Sequence, residues 1–348
     1  MLSVNAFAAP SATEPLARRI IERRELQADD VLVEIHFCGV CHSDVSHARS
    51  EWREETYPLV PGHEITGIVR GVGAEVTKYA VGDRVGIGCI VDACGTCANC
   101  KQGSEQYCLT GTTLTYGSVD KYGEFTQGGY STHIVASENF VLRVPDGLEL
   151  DDAAPLLCAG ITTFWPLRHL GVGPGTKVAV VGLGGLGHVA VKLAVAMGAE
   201  VTVLSQSLRK RDDGLRLGAQ HYFATSDAET FTQQADTFDV ILNTITAVID
   251  VDAYLGMLAL GGTLVNVGAP AEPLSVNAWS LLRNRRSYTG SLIGSISDTQ
   301  DMLDFCAEHG VGAEIEKIAV DDVNSAFDRL LASDVRYRFV IDIAGSLA

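Results

Sequence analysis

Cys94, Cys97, Cys100 and Cys108 stand in one short stretch, two residues apart and then seven. Four thiolates so close together can close a tetrahedral zinc site with no open position, which stabilises a lobe that lacks a core of its own. Free thiols rarely cluster so densely without a metal. A second set is dispersed: Cys41, then His63 with Glu64 beside it, then Cys158. Two thiolates and an imidazole form the ligand set of a zinc that keeps one position for water or substrate. Each member alone has a plainer reading. His63 suits a core histidine with its bonds satisfied, and Cys158, inside Leu156-Leu157-Cys158-Ala159-Gly160, suits a small buried apolar residue.

A third group is built from glycine. Gly182-Leu183-Gly184-Gly185-Leu186-Gly187 follows the apolar strand Lys177–Val181 and opens a helix. The first glycine allows a tight turn, the second lets the backbone approach a pyrophosphate, and the third lets helix pack on strand. The helix N-terminus then offers free N–H groups to phosphate. An NAD site places Asp or Glu at the end of the next strand. Here that strand ends in Ser205-Gln206-Ser207-Leu208-Arg209-Lys210-Arg211, with hydroxyls and cations and no carboxylate. Such donors suit a 2′-phosphate and predict NADP(H). The plainer reading makes Arg209, Lys210 and Arg211 the solvated first turn of a helix, where cations oppose the helix dipole.

The elements that must position these groups follow from length and pattern. A chain of 348 residues suggests two domains at roughly 150 residues each. Charged residues are 20% and apolar ones 47%, an ordinary globular profile. The net charge of −17 argues against nucleic acid and anionic membrane as partners. No apolar stretch is long enough to span a bilayer, and no basic residue precedes Arg18, so a cytoplasmic protein without a secretory signal is expected. Nine cysteines in such a chain need a use other than disulfides; Cys38, Cys89 and Cys306 find none in the motifs.

Short alternating runs at Val31–Phe37, Ile65–Val69, Arg84–Ile87 and Tyr130–Val135 predict a β-rich first part. From Leu148 onward, strands at 177–181, 201–204, 240–242 and 263–267 alternate with helical patterns, which predicts a doubly wound parallel sheet and an α/β class. Helices near 299–309 and 322–333 lead to a last strand at 338–343.

Taken in order, Gly39-Val40-Cys41-His42-Ser43-Asp44, Pro61-Gly62-His63-Glu64, the four-cysteine lobe, Cys158 and the glycine turn resemble the zinc-dependent medium-chain alcohol dehydrogenases. The likeness is greatest to their cinnamyl-alcohol-dehydrogenase-like, NADP-dependent aldehyde reductase branch. It runs from about Val31 to the C-terminus and implies a GroES-like catalytic domain (1–157, with the zinc lobe at 89–110). A Rossmann domain (158–295) and a C-terminal segment returning to the catalytic domain (296–348) complete the implied organisation.

The resemblance also implies two zinc ions per chain, one in the lobe and one on Cys41, His63 and Cys158, with Glu64 as an exchangeable ligand. Asp44 would orient His63 by accepting its second N–H. Ser43 would touch the reacting oxygen, and Thr162 would lie near the nicotinamide. Val267, Gly268, Ala269, Ser291, Leu292 and Ile293 would line the cofactor, and Arg338 would reach its pyrophosphate. The implied reaction moves hydride between NADP(H) and a primary alcohol or its aldehyde, in a homodimer or homotetramer.

One position departs from the family. A histidine usually sits five residues after the first zinc cysteine and passes the proton outward; here Ser46 stands there and His47 follows. Rival readings fit less well. An NAD-dependent polyol dehydrogenase would carry an acid where Ser205 stands, and a zinc-free quinone reductase would lack Cys41, Cys158 and the lobe. A non-enzymatic zinc-binding protein needs neither an open metal position nor a nucleotide turn. Trp52, Trp165 and Trp279 are candidates for an apolar substrate pocket or for ordinary packing.

Overall fold

Val31, Val33 and Ile35 alternate with less buried residues, and the strand they form, Asp30–Gly39, runs through the middle of a seven-stranded sheet. In space the order is Ile315–Ile318, Arg338–Asp342, Asp30–Gly39, Ile65–Val72, Arg84–Ile87, Leu142–Arg143, and His133–Ser137 also pairs with Asp30–Gly39. This sheet belongs to the first of two units, Met1–Cys158 with Gly294–Ala348; the second is Ala159–Ile293. The computed structural model of the chain describes residues 1–347. Cys158 is the last residue of the first unit's leading segment. Among the described residues no helix is long and apolar enough to cross a membrane.

Register puts the reactive residues at one end of the first sheet. Asp30–Gly39 and Ile65–Val72 are antiparallel with Cys38 opposite Ile65, so Cys41 just after one strand meets His63 just before the other. Arg338–Asp342 pairs antiparallel with Val340 opposite Gly39, which brings Arg338 to the same end. Val31, Ile35, Val40, Ile65, Val85 and Phe339 share the apolar core behind them.

Two elements of this unit differ from the pattern reading. The expected strand at 130–135 begins only at His133. Before it, the N–H groups of Gly128, Gly129 and Tyr130 donate to the carbonyls of Val60, Gly62 and Pro61, so this stretch wraps the segment leading to His63. An N-terminal hairpin, Leu2–Ala8 with Ala17–Arg23, was not legible because its second strand is charged and mostly exposed. Its last residue, Arg23, is buried; the guanidinium donates to the carbonyls of Gln127, Gly128 and His133 and to the Ser131 hydroxyl.

The second unit carries a six-stranded parallel sheet in the order His221–Ala224, Glu200–Ser205, Lys177–Val181, Phe238–Asn243, Leu258–Asn266, Ser287–Gly290. Along the chain that is third, second, first, fourth, fifth, sixth, the doubly wound arrangement expected of a dinucleotide-binding sheet. Ala179, Val181, Ile241, Leu255 and Leu264 fill its core. The helix expected from 208 starts as a short 3₁₀ turn, Leu208–Lys210, before Arg211–Arg216 becomes α-helical.

Candidate active site

The dispersed ligand set closes on one point. One ligand atom from each of Cys41, His63, Glu64 and Cys158 lies within 4.8 Å of the others, and the two sulfurs are 4.0 Å apart. Three stretches of chain supply them. Cys41 caps the helix His42–Ala48, His63 and Glu64 precede Ile65–Val72, and Cys158 ends the 3₁₀ turn Ala154–Leu157. Soft sulfur, imidazole and one carboxylate are the donors zinc favours. A proton shared with Cys158 holds the Cys41 thiol well below its ordinary range against burial, and the same bond raises Cys158. Burial opposes charge on the His63 ring, but Asp44 and the nearby thiols outweigh it and raise His63.

Glu64 is the least satisfied member. Both carboxylate oxygens are buried without a hydrogen-bond partner, and burial pushes the group up to about 8 against the pull of Arg338. Arg338 Nη2 stands 3.3 Å from Glu64 Oε1, at ion-pair distance but without hydrogen-bond geometry, and Nη1 donates to the Val40 carbonyl. An orphaned buried carboxylate beside two thiols and an imidazole fits a missing cation. The close approach also explains Gly39, where a Cβ would meet Glu64 Oε2 at 2.0 Å. Arg338 is 2% exposed, with its Nη2 directed at Glu64 inside the first unit.

Asp44 is fully buried and 3.2 Å from His63 Nδ1, which leaves the ring's other nitrogen for a metal. The Ser43 hydroxyl sits 3.6 Å from Cys41 Sγ. Ser46 and His47 are both engaged elsewhere: Ser46 Oγ donates to Glu51 at 2.8 Å, and His47 Nδ1 is 2.6 Å from Glu55 Oε1, which Arg53 also binds. Trp52 packs edge-on against His47. Trp165, in the second unit, stacks on His169, and Trp279, also there, is exposed.

Sequence reasoning missed Tyr116, Tyr130 and Glu55, because phenols and carboxylates in loops carry no spacing signal. It also left Cys89 unassigned; a bond from Cys158 lowers that thiol against burial, which places it beside the ligand set.

In the lobe, the sulfurs of Cys94, Cys97, Cys100 and Cys108 also lie within 4.8 Å of one another. Main-chain N–H groups point at them: Cys97 N–H to Cys94, and Cys100 and Leu109 N–H to Cys97. Such donors, with that of Thr96 foremost, hold the Cys94 thiol down to about 5. The helix here, Ala98–Lys101, buries none of its residues.

The glycine turn has the shape its sequence requires. Gly182 adopts φ +90° with Ile245 where a Cβ would go, and a Cβ on Gly187 would strike the Gly182 carbonyl at 2.1 Å. Gly184 is different: its missing Cβ faces open space, a cradle that a side chain would fill. Gly185 and Leu186 complete the turn, and the helix Gly187–Ala196 begins with no side-chain cap on its N–H groups. Ser205 ends its strand as expected, Gln206 and Ser207 are exposed, and Ser207 Oγ accepts from Arg209 N–H at the limit of hydrogen-bond distance. Arg209 and Arg211 are exposed, whereas Lys210 Nζ donates to the Leu183 carbonyl and joins this turn to the glycine turn. Val267 and Gly268 N–H groups both donate to Asn243, the Ser291 hydroxyl is buried without a partner, and Leu292 is exposed. Ala269 is exposed, Ile293 has φ +39°, and Thr162 is buried on the first turn of Ala159–His169.

The chain is similar to known proteins along almost its whole length. The model of the alcohol dehydrogenase GroES-like domain matches residues 27–146, and that of the zinc-binding dehydrogenases matches residues 185–308. The chain is 62% identical to NADP-dependent alcohol dehydrogenase C 1 of Mycolicibacterium smegmatis, over 99% of both chains. Among solved structures, a cinnamyl alcohol dehydrogenase of Sorghum bicolor superposes with TM-score 0.96 at 45% identity, and a CAD from Helicobacter pylori complexed with NADP(H) with TM-score 0.93 at 40%. Each covers 99% of both chains. Two cysteine-bearing clusters able to hold a metal, a doubly wound sheet and these full-length likenesses place the chain in the zinc-containing medium-chain alcohol dehydrogenase family.

Proposed function

We propose that this protein is an NADP(H)-dependent zinc alcohol dehydrogenase that works mainly as an aldehyde reductase on aliphatic or aromatic aldehydes. The observation that carries the reading is the meeting of Cys41, His63 and Cys158 with a buried Glu64 whose carboxylate has no hydrogen-bond partner. When bound there, zinc supplies Lewis acidity to a carbonyl or alcohol oxygen. Cys41, His63 and Cys158 hold it, and Glu64 serves as the exchangeable fourth ligand. Asp44 fixes the ring of His63, and Ser43 exchanges a proton with the reacting oxygen. His47 takes that proton onward, its ring oriented by Glu55 at 2.6 Å, as a general base is by its partner.

In the second unit, Gly182, Gly184, Gly185, Leu186 and Gly187 take the pyrophosphate, while Ser205, Gln206, Ser207, Arg209 and Lys210 face the 2′-phosphate. Thr162, Val267, Gly268, Ala269, Ser291, Leu292 and Ile293 are assigned to the nicotinamide half. The edge strand Ser287–Gly290, near exposed Trp279 and Leu282 in sequence, supports a homodimer or homotetramer. Nine free cysteines favour the cytoplasm.

The test is an aldehyde and alcohol panel run in parallel with NADPH and NADH, before and after chelation. NADPH-dependent aldehyde reduction that chelation abolishes is expected. Preference for NADH, or full activity without zinc, would overturn the reading.

A further inference from the structure

Asp44 is bound more heavily than its role toward one histidine requires. Oδ2 accepts from the Cys41 N–H at 2.8 Å and from the Tyr130 hydroxyl at 3.2 Å. Oδ1 accepts from the Gly62 N–H at 3.0 Å and from the Tyr116 hydroxyl at 2.8 Å, and the same oxygen faces His63 Nδ1 at 3.2 Å. Each oxygen thus holds one main-chain N–H and one phenol. A carboxylate offers about four lone-pair sites; the four main-chain and phenol donors match that number and hold the group against rotation, while His63 Nδ1 shares Oδ1 with two of them. Both phenols are buried, Tyr130 completely. A phenol that is buried could have packed as phenylalanine; here each hydroxyl is directed at one carboxylate.

We propose that Tyr116 and Tyr130 are positioning residues for the metal ligand His63, acting through Asp44. The proposal rests on the metal assignment above. The main-chain donors fix where Asp44 sits, since Cys41 and Gly62 flank the ligands themselves. The phenols fix its plane, and the plane sets the angle at which Oδ1 meets the His63 ring. Tyr116 has the larger share: its bond is the shorter, and it lands on the oxygen that faces His63. Its ring also lies 5.8 Å from that of His63 and 5.3 Å, edge-on, from that of His47, so it packs against both histidines. Tyr130 is held by its backbone, with its N–H donating to Pro61 and its carbonyl accepting from Phe7. Neither tyrosine is a catalytic residue, because neither is placed to touch the reacting atoms.

The experiment uses the full chain as Tyr116→Phe, Tyr130→Phe and the double variant, each keeping ring and packing while losing the hydroxyl. Metal release to a chromogenic chelator is followed, and the visible spectrum of cobalt-substituted protein is recorded. Tyr116→Phe should release the buried metal about tenfold faster, the lower end of what loss of a ligand's hydrogen-bond partner costs. Its cobalt bands should shift, kcat should fall with aldehyde KM unchanged, and lobe metal should leave at the wild-type rate. Tyr130→Phe should move each readout the same way by less. Wild-type release and an unchanged cobalt spectrum in both single variants would overturn the proposal. If Tyr116→Phe does not fold, Tyr130→Phe decides alone, through the same two readouts. A wild-type chain that takes no cobalt at Cys41, His63 and Cys158 would instead bring down the metal assignment, and this proposal with it.

Discussion

In the lobe, four ligands come from Cys94–Cys108, lie near the surface and are met mainly by main-chain N–H groups; at Cys41, His63, Glu64 and Cys158 they come from three stretches and are largely buried. The lobe has a helix with no buried residue, so metal stands in for a core there. The other site has a core already, the sheet of Val31, Ile35, Ile65 and Phe339 behind it. Removing metal should therefore cost structure in one place and chemistry in the other.

Four substitutions can break or sharpen that contrast. Cys158→Ala should lower aldehyde turnover at least about a thousandfold, about 4 kcal/mol of transition-state stabilisation. The circular dichroism and lobe zinc of the variant should match wild type; a comparable collapse of fold would erase the distinction. Cys97→Ser should do the reverse. It should lose lobe zinc and about 3 kcal/mol of stability, roughly 6–12 °C in thermal midpoint for a unit of this size. Its kcat at low temperature should stay within about threefold of wild type, and elemental analysis should find the buried metal retained. The smallest effect probes the rim of the buried site. His47→Ala should slow alcohol oxidation about tenfold, with part of the rate restored by added imidazole, whereas Ser46→Ala should be nearly silent. The opposite ranking would move the proton path to Ser46 and Glu51.

Legibility in the sequence follows the same division. The lobe is readable because its ligands are neighbours in the chain, and the glycine turn because a tight turn, a cradle and a helix contact each demand a missing side chain. The parallel sheet is readable from its alternating strands and helices. The buried ligand set was visible only through several motifs together, since nothing at Cys158 alone separates a ligand from a packed thiol. What supports that set was not visible. Tyr116, Tyr130 and Glu55 act through contacts made by tertiary folding, and the charged strand Ala17–Arg23 has no apolar pattern. The approach of Arg338 to Glu64 was not visible either, because strand register brings the two together.

The Arg23 clasp bears on how this protein can be cut and joined. The segment matched by the family model begins at residue 27. A version trimmed to that segment would discard the guanidinium gripping Gln127, Gly128, Ser131 and His133, and with it the hold on the stretch that carries Tyr130. Met1 lies at that same end of the hairpin, since Leu2 pairs with Arg23, but it is 81% exposed and its ammonium faces Glu25 at 3.0 Å. Tags and fusion partners joined there through a spacer keep the hairpin, and with it the clasp, intact.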